Sequence, residues 1–476
     1  MLRRPARQRL GSPSLVLAVS STTFTLAVLS TSVVNIALPS IRRDLGGGVA
    51  GLQWVSNGYT LMLASLLLTM GALCDQRGAR RVMLAGLGLF FAGAVAAAAA
   101  PSLQVLVCAQ LLKGAGGAAL IPASLALLSH GYRNQREQAH AVAFVSGLSA
   151  IAVAAGPVIA GFVIGAVSWR VIFAIDIIGV LAIAYPVLRH LPETPLGSAR
   201  HLDLPGQVCA IVCLAALTFG CIRGGQAGWG SVQTVGPLAL AAVSGLLFLA
   251  VERRGDAPML PPILLKIRAF NVASACAGLV NFAFYGEVFV LSLYFQEIRG
   301  LSPLDTGWVF IALPTSAGIS SILAGRLAGR SGARLPGVLG CAIGAGAMLI
   351  LATIDAQTPY PVIIGGLILM GLGPGLAVPA LTAGLVIGVP RPQAGVASAT
   401  FTASRQVGGL LGVAVLGTLV ASGDFIGRMQ VTMLLACGAL ALASVLALLL
   451  VSGRKSSGQH QTGASASAAG AGQPGS

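Results

Sequence analysis

The segment GALCDQRGARR at residues 71–81 has a second copy, GRLAGRSGARL, at residues 325–335. Both read Gly-x-Leu-x-x-x-x-Gly-Ala-Arg, and each follows a long apolar run. A second pair, GAGGAALIPA at 114–123 and GLGPGLAVPA at 371–380, lies at nearly the same spacing along the chain. Two matching pairs at one spacing predict that the chain is built from two homologous halves.

The composition indicates a membrane protein. Hydrophobic residues make up 56% of the 476 residues and charged residues only 9%, whereas soluble domains carry about 25% charged residues. The apolar runs are long enough to cross a bilayer as helices of about 20 residues, and too long for barrel strands of about 10 residues. We therefore expect an all-α membrane protein.

Fourteen such runs predict two six-helix bundles with two additional central transmembrane helices. The first run is too long for a cleaved signal peptide, so we expect it to be retained. The expected divisions are a cytoplasmic N-terminal arm (1–13), the first bundle (14–190), a linker with the two additional helices (191–270), the second bundle (271–451) and a disordered cytoplasmic tail (452–476).

The net charge of +16 reflects topology. Most Lys and Arg residues fall in the arm, the tail and alternate loops, which places both termini in the cytoplasm and the chain in the inner cell membrane by the positive-inside rule. No nucleic-acid partner is implied. Cys209 and Cys213 share a helix face, but no His or carboxylate joins them, so we expect no metal or cofactor.

The motifs resemble a known family. GALCDQRGARR is similar to the loop signature of the major facilitator superfamily, and AGPVIAG (155–161) resembles the Gly-Pro signature of its proton-linked exporters. Further segments resemble its fourteen-helix drug/proton antiporters: VVNIALP (33–39), SWRVIF (168–173), RGLSPLDTG (299–307) and SRQVGG (404–409). The resemblance implies a monomeric, proton-driven exporter of a hydrophobic drug or antibiotic that works by alternating access.

Importing a metabolite is the rival function within transport. A membrane-embedded enzyme acting on lipid is a remote alternative, because no Ser/His/Asp set, metal cluster or phosphate loop lies at one membrane depth. We therefore expect a transporter and not an enzyme.

The repeated loop has two interpretations. Gly71 and Gly78 are expected to bracket a sharp turn, with Asp75 placed to accept hydrogen bonds and Arg80 and Arg81 facing the anionic inner leaflet. These residues form either a gating latch or an orientation signal with turn chemistry, and the resemblance favours the latch. Small residues in the fifth run also have two interpretations, close helix packing or a bend used in transport. They are Gly147, Gly156, Pro157 and Gly161.

Four charged residues fall near the membrane midplane: Lys113, Asp176, Glu287 and Arg405. Intramembrane charge predicts a functional site, and two acids and two bases can neutralise one another in pairs. The resemblance places Lys113, Glu287 and Arg405 on cavity-lining helices and makes Asp176 structural. We expect Glu287 to couple protons, because a carboxylate balanced between desolvation and a cationic neighbour can load and release one; the alternative is a static Glu287–Arg405 pair.

The sequence departs from the family pattern in two places. Ser30 stands where the family carries an acid, and Gln110-x-x-Lys113 replaces Arg-x-x-Gln. We therefore expect the proton-coupling acid to lie in the ninth run instead. We also expect the substrate to be neutral or anionic. Five polar side chains within the runs are each candidates either for substrate contact or for a hydrogen bond between helices. They are Asn35, Tyr59, Gln110, Tyr285 and Gln406.

The gating hypothesis predicts that Asp75→Asn abolishes transport while membrane insertion stays intact. The second copy of the loop has Gly329 in the place of Asp75, so the latch is expected on one side only. Transport in vesicles, normalised to the amount of inserted protein, measures the effect. Unchanged transport would refute the latch.

Overall fold

The computed structural model describes residues 12–132, 134–191, 193, 203–254, 259–260, 262–390, 393–421 and 423–449. The expected tail (452–476) and all but the last two residues of the expected N-terminal arm lie outside the described residues.

The described chain folds into a succession of helices, which satisfy their backbone hydrogen bonds internally as lipid requires. They are α1 (Pro13–Leu45), α2 (Val49–Arg77), α3 (Ala79–Ala98), α4 (Leu103–Gly131), α5 (Gln135–Ala166), α6 (Val171–His190), α7 (Leu204–Ala227), α8 (Val232–Arg254), α9 (Pro262–Leu265), α10 (Arg268–Leu293), α11 (Pro303–Phe310), α12 (Ala312–Ser331), α13 (Arg334–Leu351), α14 (Tyr360–Gly388), α15 (Ala394–Leu419) and α16 (Phe425–Ala447). A π-helical turn, Tyr294–Ile298, extends α10.

Within the described residues, twelve helices are long and apolar enough to cross a membrane. This number counts α10 with its π-helical turn as one span and α11 with α12 as another. The helices α5 and α15 are not among the twelve, and the apolar part of α5, Gly156–Ala166, is shorter. The chain is therefore an all-helical membrane protein with twelve candidate spans.

The helix packing repeats along the chain. In a first set, α1–α6, helix α4 packs against α2 and α3, while α1 packs against α5 and α3 against α6. In a second set, α10–α16, helix α14 packs in the same way against α12 and α13, while α10 packs against α15 and α13 against α16. The two sets therefore share one packing pattern.

Glycines at matching positions explain this repetition. Gly78 and Gly332 end α2 and α12 with φ angles of 89° and 77°, and each donates its N–H to the carbonyl four residues earlier. Glycine adopts such positive φ angles without steric cost. Gly114 and Gly371 also correspond, because a Cβ at either position would clash with a backbone carbonyl, of Tyr59 or of Leu313 respectively.

Helices α7 and α8 form a hairpin that reaches both sets. Helix α7 packs against α2 of the first set and α15 of the second. The Gln207 amide donates to the Ser65 carbonyl at 2.8 Å, and the Thr418 hydroxyl donates to the Cys221 carbonyl at 3.2 Å. The hairpin therefore covers the seam between α2 and α15.

Contacts between the two sets concentrate where α1 turns into α2, which we call the α1–α2 end. Arg42 pairs with Glu297 at 2.8 Å. The Gln53 amide donates to the Val413 and Ala414 carbonyls at 2.8 Å each. These contacts close the bundle at this end.

The first set is braced at the same end. The Asp44 carboxylate accepts hydrogen bonds from Arg170 and, at 3.0 Å, from the Trp169 indole N–H. These two donors hold the pKa of Asp44 below its usual value, with Arg170 the larger cause. The start of α6 is thereby fixed to the end of α1.

We predict that Arg42→Glu shifts the protein towards conformations open at the α1–α2 end, because two carboxylates then face each other. An exposed pair contributes about 0.2–1 kcal/mol, so its loss changes the population by up to about five-fold. Distances between spin labels on the ends of α1 and α10 report the change. The double variant Arg42→Glu/Glu297→Arg should restore the closed distance, and an unchanged distance in the single variant would contradict the prediction.

Candidate functional site

A cavity of about 310 Å³ lies between the two sets and has a polar wall. The first set contributes Asn35 from α1 and polar side chains from α2, and the second set contributes Tyr285 and Gln406. Its lining is Thr31, Asn35, Ser56, Asn57, Thr60, Tyr285, Gln406, Gly409 and Val413. We call it the polar lobe.

A second cavity of about 440 Å³ shares Asn35 and Tyr285 with the polar lobe. Apart from these two residues its lining is apolar, and consists of Ile36, Pro157, Phe284, Val288, Phe310, Leu313 and Pro314. We call it the apolar lobe. Together the lobes suit a molecule that is largely hydrophobic and carries polar groups at one end.

Asn35 is held in place at the junction of the lobes. Its side-chain oxygen accepts from the Ser56 hydroxyl at 3.0 Å, and its side-chain nitrogen donates to the Thr31 carbonyl at 3.3 Å. The Ser292 hydroxyl of α10 donates to the Asn35 backbone carbonyl at 2.7 Å. The side chain is therefore oriented by the first set, and the second set holds the backbone of the same residue.

Asn57 is only 1% exposed, and its side-chain nitrogen has no hydrogen-bond partner in the described part of the chain. A buried donor without a partner costs about 1–3 kcal/mol, which suits a position that a ligand completes. The sequence analysis missed Asn57, Ser56 and Thr60. The signal was present, because Gln53, Ser56, Asn57 and Thr60 recur at helical spacing and form a polar stripe on α2.

Asn35, Tyr285 and Gln406 line the cavity, whereas the other two polar candidates bond within the first set. The Tyr59 hydroxyl donates to the Ala27 carbonyl at 2.8 Å, and the Gln110 amide donates to the Val55 carbonyl at 3.2 Å. Both side chains are at most 1% exposed. They connect neighbouring helices, which is the second of the two roles expected for them.

Lys113 does not face the cavity, contrary to expectation. Its ammonium group pairs with Asp176 of α6 at 2.6 Å, and the Ser30 hydroxyl donates to the same carboxylate at 3.0 Å. The Tyr59, Phe90 and Phe173 rings lie 4.8–5.6 Å from the ammonium group. The Asp176 carboxylate thus lies next to position 30, where the resemblance leads us to expect an acid, and it neutralises Lys113.

Glu287 is also turned away from the cavity. Residues two apart on a helix lie on nearly opposite faces, so Glu287 cannot share the orientation of Tyr285. Its carboxyl is fully buried and faces Thr432 of α16, whose hydroxyl donates to the Met429 carbonyl instead. Neither carboxyl oxygen has a hydrogen-bond partner among the described residues.

Arg405 lies one helical turn before Gly409, which lines the polar lobe and packs against the Tyr285 ring, but Arg405 itself is not among the residues that line either lobe. Its Nε is enclosed and has no hydrogen-bond partner within the described residues. Gly412 of α15 packs between Phe282 and Gly286 of α10, so these residues lie at the same level of the two parallel helices. Arg405 lies on the N-terminal side of this level and Glu287 on its C-terminal side. The two are therefore separated by about 15 Å along the helix axes. The alternative of a static Glu287–Arg405 pair is therefore wrong for this structure.

The small residues of α5 contribute to the interface between the sets. A Cβ on Gly161 would clash with the Pro303 carbonyl of α11, and a Cβ on Gly307 would lie 2.6 Å from the Pro157 carbonyl. Gly156 is buried in the same stretch, while the side-chain surroundings of Gly147 lie outside the described part of the chain. This geometry supports close packing and leaves a functional bend as a proposal.

The repeated loop differs from the expectation in one respect. Helix α2 continues to Arg77, so Gly71 lies inside the helix and only Gly78 forms the turn. Asp75 is exposed and interacts electrostatically with Cys74, its neighbour in the chain. Arg80 donates to the Val187 and Leu188 carbonyls at 3.0 and 2.9 Å.

Arg81 lies 3.3 Å from Glu193, which also accepts from Arg80. The loop arginines therefore hold the end of α6, whereas the Asp75 side of the expected latch is not engaged.

Comparison with known proteins adds to this geometry. The sequence model of the family described as Major Facilitator Superfamily matches residues 21–413. The multidrug resistance protein Stp of Mycobacterium tuberculosis is 34% identical over 83% of this chain and 73% of its own length. The cephamycin export protein CmcT of Amycolatopsis lactamdurans is 33% identical over 88% of this chain and 87% of its own.

Among solved structures, the inward-open xylose transporter XylE from E. coli is similar to this chain. The TM-score is 0.65 at 14% identity, and the match covers 94% of this chain and 98% of XylE. At this identity the similarity concerns the fold alone. Within the described residues, no group of three or more His, Cys, Asp or Glu side chains is arranged to hold a metal ion.

We predict that Asp176→Asn destabilises the protein by about 3–5 kcal/mol, because Lys113 is then buried without its counter-charge. Thermal unfolding in detergent measures the loss. The double variant Lys113→Met/Asp176→Leu should regain most of the stability, since it removes both charges at similar volume. A stable Asp176→Asn protein would show that the pair does not hold the first set together.

Proposed function

The chain belongs to the Major Facilitator Superfamily, and we propose that it exports a hydrophobic small molecule, a drug or antibiotic, by alternating access. It is a multi-pass transporter of the cell membrane and not an enzyme. The similarity to a multidrug resistance protein and a cephamycin export protein supports export as the direction. Uptake of a metabolite is the competing direction.

One observation carries the proposal: the two-lobed cavity lies between two sets of helices that share one packing pattern and are joined at the α1–α2 end. Alternating access requires such an arrangement, because two rigid bodies that rock about a central site expose it to each side in turn. Breaking the Arg42 and Gln53 contacts would open the closed end.

We further propose fourteen spans, with α5 and α15 completing the twelve candidates. Both are buried against helices of their own set and of the other set, which makes a position outside the bilayer implausible. On this proposal the halves are 14–190 and 271–451, the linker 191–270 carries the α7–α8 hairpin, and both termini are cytoplasmic. The α1–α2 end is then external, and the protein works as a monomer.

We propose Glu287 as the proton-coupling group. A fully buried carboxyl with no cation beside it is very costly when ionised, so we propose that it carries a proton in this conformation. The protonated group can donate to the Thr432 hydroxyl oxygen. Loss of the proton would require the contact between α10 and α16 to open, which links the charge to helix movement.

Other titratable groups on the helices against α10 do not compensate Glu287. Within the described residues these are Arg42, Arg43 and Asp44 on α1, Tyr360 on α14, Arg405 on α15, and Arg428 and Cys437 on α16. Glu287 makes no hydrogen bond or salt bridge to any of them. Its protonation is therefore set mainly by its own burial.

Asp75 and the loop arginines are proposed as the cytoplasmic latch, open in this conformation. The exposed, unengaged Asp75 supports this proposal, because the opposite side of the bundle is closed. A drug-susceptibility panel in an efflux-deficient host tests export directly. Unchanged susceptibility to every compound, together with proton-driven uptake in right-side-out vesicles, would favour the importer.

We predict that Glu287→Gln abolishes transport driven by a pH gradient while substrate exchange without a gradient continues. Glutamine has the shape of the protonated acid but cannot release a proton. Inverted vesicles with an imposed gradient measure the effect, and Glu137→Gln, at an exposed position in the first turn of α5, serves as the control. Intact proton-driven transport in Glu287→Gln would assign the coupling to another group.

A further inference from the structure

Arg405 is the intramembrane charge without a counter-charge in the described structure. Lys113 is neutralised by Asp176, and Glu287 lies about 15 Å from Arg405 along the helix axis. A guanidinium group is always ionised and only donates hydrogen bonds. An unpaired charge within a membrane protein is expensive, so its position indicates that a partner is supplied from outside the chain.

The polar lobe next to Arg405 offers hydrogen-bond donors. Gln406 follows Arg405 in the chain and lines this lobe, as does Gly409, which lies one helical turn after Arg405 and packs against the Tyr285 ring. Asn57 presents a nitrogen without a partner in the described chain, from the opposite wall. Carboxylates are absent from the described lining of both lobes. The lobes therefore offer hydrogen-bond donors, and Arg405 adds one positive charge at their edge.

The apolar lobe adjoins these donors through Tyr285. Its walls, which include Phe284, Val288 and Phe310, offer no charged group to a ligand. A ligand that spans both lobes would place a ring system here and an acidic group beside Arg405. A permanently cationic ligand would instead meet an uncompensated positive charge.

We propose that the transported substrate is a hydrophobic organic acid whose carboxylate is bound by Arg405, one helical turn before Gly409 of the polar lobe, with the lobe residues Tyr285, Gln406 and Asn57 as further donors. This inference rests on the proposed transport function and adds the chemical class of the substrate. Arginine binds carboxylates in a planar, two-point geometry that lysine does not reproduce.

Binding to the purified full-length protein in neutral detergent tests the proposal. The probes are 1-pyrenebutyrate and a panel of one- to three-ring aromatic carboxylates, each paired with its methyl ester. We expect the wild type to bind the acids about ten-fold to a hundred-fold more tightly than the esters, as for a charge-assisted hydrogen bond. Arg405→Gln should remove this preference and leave ester binding unchanged.

Two further variants sharpen the test. Arg405→Lys keeps the charge without the two-point geometry and should retain only part of the preference. Arg43→Gln removes an arginine outside the cavity and should bind like the wild type. Equal binding of acids and esters by the wild type, no acid binding across the panel, or an acid preference that persists in Arg405→Gln would each overturn the proposal.

Phosphatidylglycerol carries an anionic group that could occupy the same position. The panel is therefore repeated in phosphatidylcholine nanodiscs with and without phosphatidylglycerol. We expect the lipid to leave acid affinity unchanged. Competition by the lipid in the wild type but not in Arg405→Gln would assign the site to lipid and overturn the substrate assignment.

Failure of this inference is distinguishable from failure of the proposed function. Gradient-driven export of esters without any acid preference would retain the exporter and reject the acid site. Arg405-dependent acid binding without gradient-driven export in vesicles would support the acid site and reject the exporter.

Discussion

Charge neutralisation inside lipid is the constraint on which this structure depends. In the first set, the Lys113–Asp176 pair is complete, with Ser30 bonded to the carboxylate and three aromatic rings around the ammonium group. This set therefore needs no external partner for its charges. The second set has no such neutralised pair, because Glu287 and Arg405 are too far apart to form a salt bridge. On the proposed roles, Glu287 would take up a proton and Arg405 would meet a ligand.

The same constraint explains how one scaffold supports two unequal halves. Gly114 and Gly371 bring equivalent helix pairs together, and Gly78 and Gly332 form equivalent turns, so the backbone geometry repeats. The repeat therefore rests on glycines at close backbone contacts and at turns. The polar residues do not repeat: the first set carries the Lys113–Asp176 pair, and the second set carries Glu287 and Arg405, which do not pair.

The sequence predicts the backbone better than the site. Apolar runs and repeated glycines identify helices and their crossings, because both depend on local chemistry. For Asn35, Tyr285 and Gln406 the sequence leaves cavity lining and helix contact open, and the structure places all three in the cavity lining. The pairing of Lys113 with Asp176 depends on how α4 and α6 are rotated about their axes, which the sequence does not state. The orientation of Glu287 likewise depends on the rotation of α10, which becomes evident only once Tyr285 is seen in the cavity wall.

Helix α10 carries both the proposed proton-coupling residue and part of the cavity wall. One face presents Tyr285 and Val288 to the cavity, and the opposite face presents Glu287 to α16. A proton and a substrate would therefore not compete for one position but would act on one helix from opposite sides. If, as proposed, each favours a particular placement of α10, binding of one would change the free energy of binding the other, and this coupling would be reciprocal. Such an arrangement would tie a proton to a substrate without direct contact between them.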